Sequence, residues 1–454
     1  MIRVFGVVVA AVAVSFGGAR ARHERSIEAA PAAPLDVSAL LTAAQGAPPV
    51  ICALAGQAVR GNGWGDWNEA PYTPLASQEV AHRRSLEDAQ YSDADVAKLF
   101  DGIASDDACV RELSIRLIGG QRAASVAVPL MERLSSSNAQ LREIAAFGLG
   151  LTEPKSATDA LVKALHDATA GVRANSAWAL GRIDDGRALT PLVSLFRDAD
   201  VKVREASVLA VGKLDSSSTV GSLIKVLESD DAPTVRRAAA WALGQMEARS
   251  SADALATVLA RDSDARVREM TAWALGNLEA RNATATLLNV AQHDADDAVR
   301  ETAVWAIGES NDRSTVDALG GIVGNDRAAR VRGTAAWAIG QLRGSGTRAP
   351  AGLIKALDDE SDQVRLKAAW ALGQVGDSAA LGKIKTSLHD EKSTEVRRAL
   401  IRALIRSGGR SEETLSELLT NADPKVREAA VRGLAGGESM NPWPWPQPRP
   451  RPMP

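Results

Sequence analysis

The residues able to do chemistry are few. The chain holds five His and two Cys. His166, His293 and His389 each close the first helix of a two-helix unit defined below, and they stand three or four units apart. At roughly 10 Å per unit they are too distant from one another to share a metal ion or a catalytic step. Cys52 and Cys109, 57 residues apart, do not have zinc-ligand spacing. In an oxidising compartment they can pair; the alternative is two free, partly buried thiols. No strand is predicted, so no Gly-rich phosphate loop follows one. The expectation is a protein that is not an enzyme, with no metal and no cofactor, although acid–base pairs across neighbouring units stay open.

Two other residue types recur at fixed spacing. A Val-Arg or Leu-Arg pair begins at Val110, Leu141, Val172, Val203, Val235, Val267, Val299, Val331, Val364, Val396 and Val426, in steps of 30 to 33 residues. Self-similarity of this period marks a stacked-repeat architecture. Residues 251–278 illustrate one unit. Residues 252–260 carry apolar side chains at helical spacing, residues 261–264 form a turn, and Asp264 stands where an N-cap belongs before a second helix. Asp107, Asn138, Asp200, Asp296 and Asp423 hold comparable places. One such helix pair cannot bury its apolar face alone, so stacked pairs must share a continuous core. The fold class is therefore all-α: a right-handed superhelical α-solenoid of about eleven helix pairs, a curved rod on the order of 100 Å long.

With the Val as position zero, positions 4, 8 and 11 fall within about 80° of one another on a helix. Thr271, Leu275 and Leu278 hold them in the sixth unit and Ala303, Ile307 and Ser310 in the seventh; they are the expected core. Small residues at positions 5 and 7, such as Ala272 and Ala274, permit close helix approach. Gly at position 9 recurs from Gly119 to Gly373, which implies close backbone packing. The recurrent Arg sits four residues after an acidic residue in Asp200–Arg204, Asp264–Arg268, Asp296–Arg300 and Asp423–Arg427. Such pairs support a helix start, so the Arg column reads as structural and not as an anion-binding stripe.

Position 6 lies at about 240°, roughly opposite the core centre. It reads Arg116, Phe147, Trp178, Leu209, Trp241, Trp273, Trp305, Trp337, Trp370, Arg402 and Arg432. Six of the ten Trp fall there. Variable, mostly polar neighbours share that face: Arg237, Glu269 and Glu301, then Gln245, Asn277, Glu309, Gln341 and Gln374. Trp is enriched at binding hot spots, and a row of indoles exceeds the apolar patch a monomer normally exposes. The expectation is a protein- or peptide-binding ladder that ends in Arg at polar capping repeats. The competing reading is that each Trp packs between repeats; the two are compatible.

Residues 235–244, Val-Arg-Arg-Ala-Ala-Ala-Trp-Ala-Leu-Gly, resemble the HEAT-like repeats first associated with phycobilin lyases, and the resemblance extends over residues 93–436. It implies an armadillo- and HEAT-like solenoid whose second helices line the concave face, and an Asp–Arg ladder between repeats. A chromophore-binding or lyase-like accessory role is one alternative that it raises. The similar deoxyhypusine hydroxylases use His-Glu pairs on several repeats to hold two irons; here the only such pair is His23-Glu24, so that activity does not carry over.

The ends suggest a location. Arg3, an apolar stretch over residues 4–16, and the small residues Ala19 and Ala21 fit a cleaved export signal over residues 1–21, with an uncleaved anchor as the alternative. An exported protein, periplasmic or extracellular, is expected. Residues 22–92 are an Ala- and Pro-rich lead-in, with a possible degenerate helix pair at 35–44 and 50–59 and a Trp-containing loop at 61–67. Residues 437–454 alternate Pro with Trp, Gln, Arg and Met and read as an extended tail, a short recognition motif or the anchor of an envelope rod. The formal net charge of −3 leaves no basic footprint for nucleic acid or anionic lipid. The partner expected is a protein or peptide bound by a monomer, with no nucleic acid and no membrane beyond the signal segment.

Overall fold

A computed structural model describes residues 36–48, 52, 91–121, 123–342 and 348–408, with scattered positions from 416 to 431. The export segment, the loop at 61–67, the proline-rich tail, Asp423, Arg432 and all of the second lead-in helix except Cys52 lie outside the described residues. The chain forms two compact units, Met1–Leu195 and Phe196–Pro454. In the first, α1 (Val37–Ala44) precedes three antiparallel pairs: α2 (Asp93–Gly102) with α3 (Ala108–Gly119), α4 (Ala123–Arg133) with α5 (Ala139–Thr152), and α6 (Thr158–Ala164) with α7 (Ala170–Ile183). Helix α8 (Leu189–Ser194) ends this unit.

The second unit begins with α9 (Val201–Lys213). Six pairs follow: α10 (Val220–Ser229) with α11 (Pro233–Gln245), α12 (Ala252–Arg261) with α13 (Ala265–Asn277), α14 (Thr284–His293) with α15 (Asp297–Glu309), α16 (Val316–Asn325) with α17 (Ala329–Gln341), α18 (Ala351–Lys355) with α19 (Asp362–Val375), and α20 (Leu381–Asp390) with α21 (Thr394–Arg406). Among the described residues every regular element is helical, and no helix is long and apolar enough to cross a membrane. The all-α solenoid expected from the repeat is the observed fold.

Local chemistry starts and stops each helix. Asp264 Oδ1 accepts from the Arg266 and Val267 N–H groups at 2.8 and 3.1 Å, which satisfies two donors of the first turn of α13. Asp107, Asn138, Asp200 and Asp296 cap their second helices in the same way. The opposite end closes through a left-handed residue at Glu153, Asp184, Asp215, Glu247, Glu279 and Asn311, and through glycine at Gly376 and Gly408. That position is twelve residues after the Val in every one of these repeats. It turns the chain sharply into the next first helix, and the six non-glycine residues carry about 1 kcal/mol each of backbone strain there.

The core follows the expected columns. Thr271, Leu275, Ala303, Ile307 and Ser310 are buried, as are the small flanking Ala272 and Ala274. In the second unit, neighbouring second helices pack closely on one another whereas neighbouring first helices touch little. The second helices therefore form the tight inner layer of that unit.

Candidate functional site on the second helices

Of the two readings of the position-6 column, an outward ladder and packing between repeats, the structure favours packing. Trp178, Trp241, Trp273 and Trp337 are buried, and Trp305 and Trp370 are half-buried. The reason lies in where a second helix makes contact. A single-helix wheel assigns one core direction, but in the stack this helix touches its own first helix and a second helix on either side. Position 6 faces the preceding repeat. There the recurrent glycine leaves a seat for the ring. A Cβ built on Gly276 would stand 2.5 Å from Trp305 Cζ3, and one on Gly308 would stand 2.8 Å from Trp337 Cζ3. Gly150 receives Trp178, Gly244 receives Trp273 and Gly340 receives Trp370 in the same manner. The glycine and tryptophan columns are thus two halves of one contact between successive repeats.

The Arg at the N-terminal end of the column is also not a polar cap. Arg116 is buried, with its Nε donating to Glu112 Oε1 at 2.5 Å and its guanidinium 5.3 Å from the centre of the Phe147 ring. Phe147 in turn lies 5.5 Å from the Trp178 ring, tilted by 53°.

The recurrent Arg is structural, but its partner is not the acid four residues before it. Arg268 Nε and Nη2 grip Asp294 of the next repeat at 2.8 and 2.9 Å, while Nη1 donates to the Asp262 carbonyl of its own turn at 2.9 Å. The same two-pronged grip joins Arg142 to Asp167, Arg204 to Asp230, Arg236 to Asp262, Arg300 to Asp326, Arg332 to Asp359 and Arg365 to Glu391. Asp264, freed from pairing, is the helix cap. Burial by itself would raise the Asp294 carboxyl, but Arg268 and the Asp296 N–H together hold it below the ordinary carboxylate range. The Asp–Arg ladder between repeats that the resemblance implied is thus present; its acids stand five residues before the Val, a place that is acidic at 167, 198, 230, 262, 294, 326, 359 and 391.

With the indoles absorbed, what remains accessible along the inner layer is polar. Gln245, Asn277 and Gln341 are exposed; Arg237, Glu269, Glu301 and Gln374 are half-buried. Glu205 on α9 and Lys367 on α19 extend the row. Arg330 reaches Asp297 at 2.7 Å and Glu301 at 3.4 Å, and the Thr334 hydroxyl donates to Glu301 at 3.3 Å. Burial pushes the Glu205 carboxyl up against the pull of Arg237 and Lys202. Burial also raises Glu269, with Asp296 and Glu301 adding to it, and raises Glu309 together with Glu279. Lys367 is pushed down by burial, which Glu301 only partly offsets. The Arg237 Nε is buried without a hydrogen-bond partner. His293 lies apart from this row, its Nδ1 3.0 Å from the Asn289 carbonyl, and His389 sits in the last turn of another first helix, α20. Among the described residues no group of three His, Cys, Asp or Glu side chains could hold a metal ion.

The repeat geometry matches a known family. A model of HEAT repeats fits residues 127–211, 189–276, 284–351 and 350–435, more than half of the chain. The chain belongs to the HEAT-repeat family. Among solved structures, importin beta is similar at a TM-score of 0.56 and 17% identity, over 75% of this chain and 57% of that one. The CpcE–CpcF complex of phycocyanin lyase from Nostoc sp. PCC7120 gives a TM-score of 0.32 at 22% identity, covering 54% of this chain and 92% of that one. An engineered protein gives 0.38 at 20% identity over 75% and 98%. At these identities the likeness concerns the fold alone, and only importin beta is close enough to bear on it. A comparison with curated proteins finds no sequence match.

Two outcomes follow for the HEAT stack. Gly276→Ala should cost about 1–3 kcal/mol through overpacking against Trp305. The penalty should shrink when Trp305 is first replaced by Leu, and a double-mutant cycle by urea denaturation reads the coupling. In the ladder, Asp294→Asn should cost about 3 kcal/mol by leaving Arg268 uncompensated. Because Asp167, Asp262, Asp294, Asp359 and Glu391 are held below their unfolded values near 4, their stabilisation is complete above about pH 4. It is lost as pH falls through the depressed values. Denaturation midpoints taken from pH 7 to pH 3 should fall more steeply at the acid end in wild type than in Asp294→Asn.

Proposed function

We propose that this HEAT-repeat chain is an exported scaffold that binds a protein or peptide along the inner layer of its second unit, and that it does so without catalysis. The observation that carries this reading is the row Glu205, Arg237, Glu269, Glu301 and Lys367. These charges are half-buried, and three of the group (Glu205, Glu269 and Lys367), like the neighbouring Glu309, are held at protonation equilibria displaced by burial. A charged side chain kept partly out of water costs free energy that complementary polar groups on a partner can offset. The flanking amides Gln245, Asn277, Gln341 and Gln374 supply donors and acceptors suited to peptide backbone. The Trp column contributes rigidity, with Trp305 and Trp370 as the members that retain some accessible edge.

Export is supported by two features. The first residues have the pattern of a signal segment, and Cys52 and Cys109 are paired, as expected in an oxidising compartment.

The test is affinity capture from the native envelope with wild type and with a variant carrying Arg237→Ala, Glu269→Lys and Glu301→Lys. These positions lie outside the Gly–Trp seats and the Arg–Asp ladder, so helicity should be retained. Proteins captured by wild type should be lost from the variant and should elute from wild type with rising salt. An unchanged capture profile from the well-folded variant would remove this row as the binding surface.

A further inference from the structure

The N-terminal edge of the array is closed in an unusual way. A terminal repeat of a solenoid ordinarily needs a polar outer face. Part of the first repeat's edge is apolar instead: Val110 and Leu113 of α3 are buried, and they form one cluster with Ala44, Cys52 and Cys109, flanked by Leu40, Leu41 and Ala47. The cover is α1, whose apolar residues Val37, Leu40, Leu41 and Ala44 repeat at helical spacing and face α2 and α3. Eight residues of helix are too short to hold together alone, and α1 buries only Val37 and Ala44 completely enough to count as core.

Two specific ties supplement that contact. Asp107 Oδ1 caps α3 through the Cys109 and Val110 N–H groups, at 2.8 and 3.0 Å, while its Oδ2 accepts the Gly46 N–H at 2.8 Å. One carboxylate thus joins the end of α1 to the start of the first repeat. Gly46 reaches it through a left-handed turn with φ of +68°. The second tie is covalent. The Sγ atoms of Cys52 and Cys109 are bonded, with Cα atoms 5.5 Å apart.

We propose that the Cys52–Cys109 disulfide is the lock of a redox-dependent cap, holding α1 over the apolar edge of the first repeat. In the opening step a dithiol reductant delivers two electrons and two protons. The Sγ–Sγ bond breaks, two Cys thiols form, and the dithiol becomes a disulfide. Closure is the reverse, with both electrons passing to a disulfide-bonded oxidant. With the bond open, the described residues hold α1 by one shared carboxylate and a small apolar contact, so the edge that includes Val110 and Leu113 is intermittently uncovered. In a reducing compartment the array has an open N-terminal end; in an oxidising one the end is shut. This goes beyond the binding reading and does not depend on it, since the cap lies in the first unit and the polar row in the second.

The experiment is hydrogen–deuterium exchange with mass spectrometry on the full chain, with and without dithiothreitol. A native bond closing a loop of this length shifts such a closing equilibrium roughly 30- to 1,000-fold. Reduction should therefore speed exchange across Val37–Ala44 by a factor in that range while leaving Ala265–Asn277 unchanged. The Cys52→Ser/Cys109→Ser variant should show the fast exchange in either condition. Unchanged protection of Val37–Ala44 after complete reduction would overturn the lock, as would free thiols titrating in the folded, air-oxidised protein.

Discussion

The spacing between successive repeats is set where an indole ring of one second helix lies on the glycine of the second helix before it. A residue with a Cβ at that glycine would hold the helices apart, and a small residue in place of the ring would leave a void between them. The alanines on either side of the Trp extend the close approach. Once the second helices are drawn together, the turns that precede them come into register, and only then can Arg residues such as Arg268 span from their own turn to the acid of the next. The hydrophobic contact fixes the distance, and the ladder fixes which turn faces which.

Much of this was legible in the chain. The repeat period, the capping acids and the core positions all follow from local rules that operate within one helix pair. The glycine column was legible as a close approach, because few other reasons keep glycine inside a helix. What local rules could not give was the direction of the Trp column. A wheel drawn for α13 places Trp273 opposite Leu275, and that is correct, but the far side of a second helix in a stack is another helix and not solvent. The resemblance to HEAT repeats implied a ladder between repeats, but the pairing read within one helix fails for a related reason. Asp264 and Arg268 are well spaced within one helix, yet Asp264 is engaged by the backbone N–H groups of that helix, and Asp294 from the next repeat is the acid that remains. Cys52 and Cys109 left two outcomes open, which only their proximity across the α1 contact resolves in favour of a bond.

This outcome moves the proposed binding surface. A face lined with indoles would be a broad apolar anchor. The observed inner layer instead presents half-buried charges and amides on a rigid backing, a surface better suited to reading charge and backbone than to gripping apolar side chains. Different columns of the same helix therefore have different surroundings: positions 1, 6 and 9 build the stack, and positions 2 and 10 hold the accessible polar residues Arg237, Glu269, Glu301, Gln245, Asn277 and Gln341.

The central claim, that the Trp column is interior to the stack, is most directly tested by acrylamide quenching of tryptophan fluorescence. The protein used should carry Phe in place of Trp64, Trp67, Trp443 and Trp445, leaving the six column residues as the only emitters. The account predicts blue-shifted emission and weak quenching that becomes strong only on unfolding in denaturant. Red-shifted emission with strong quenching of the folded protein would contradict it.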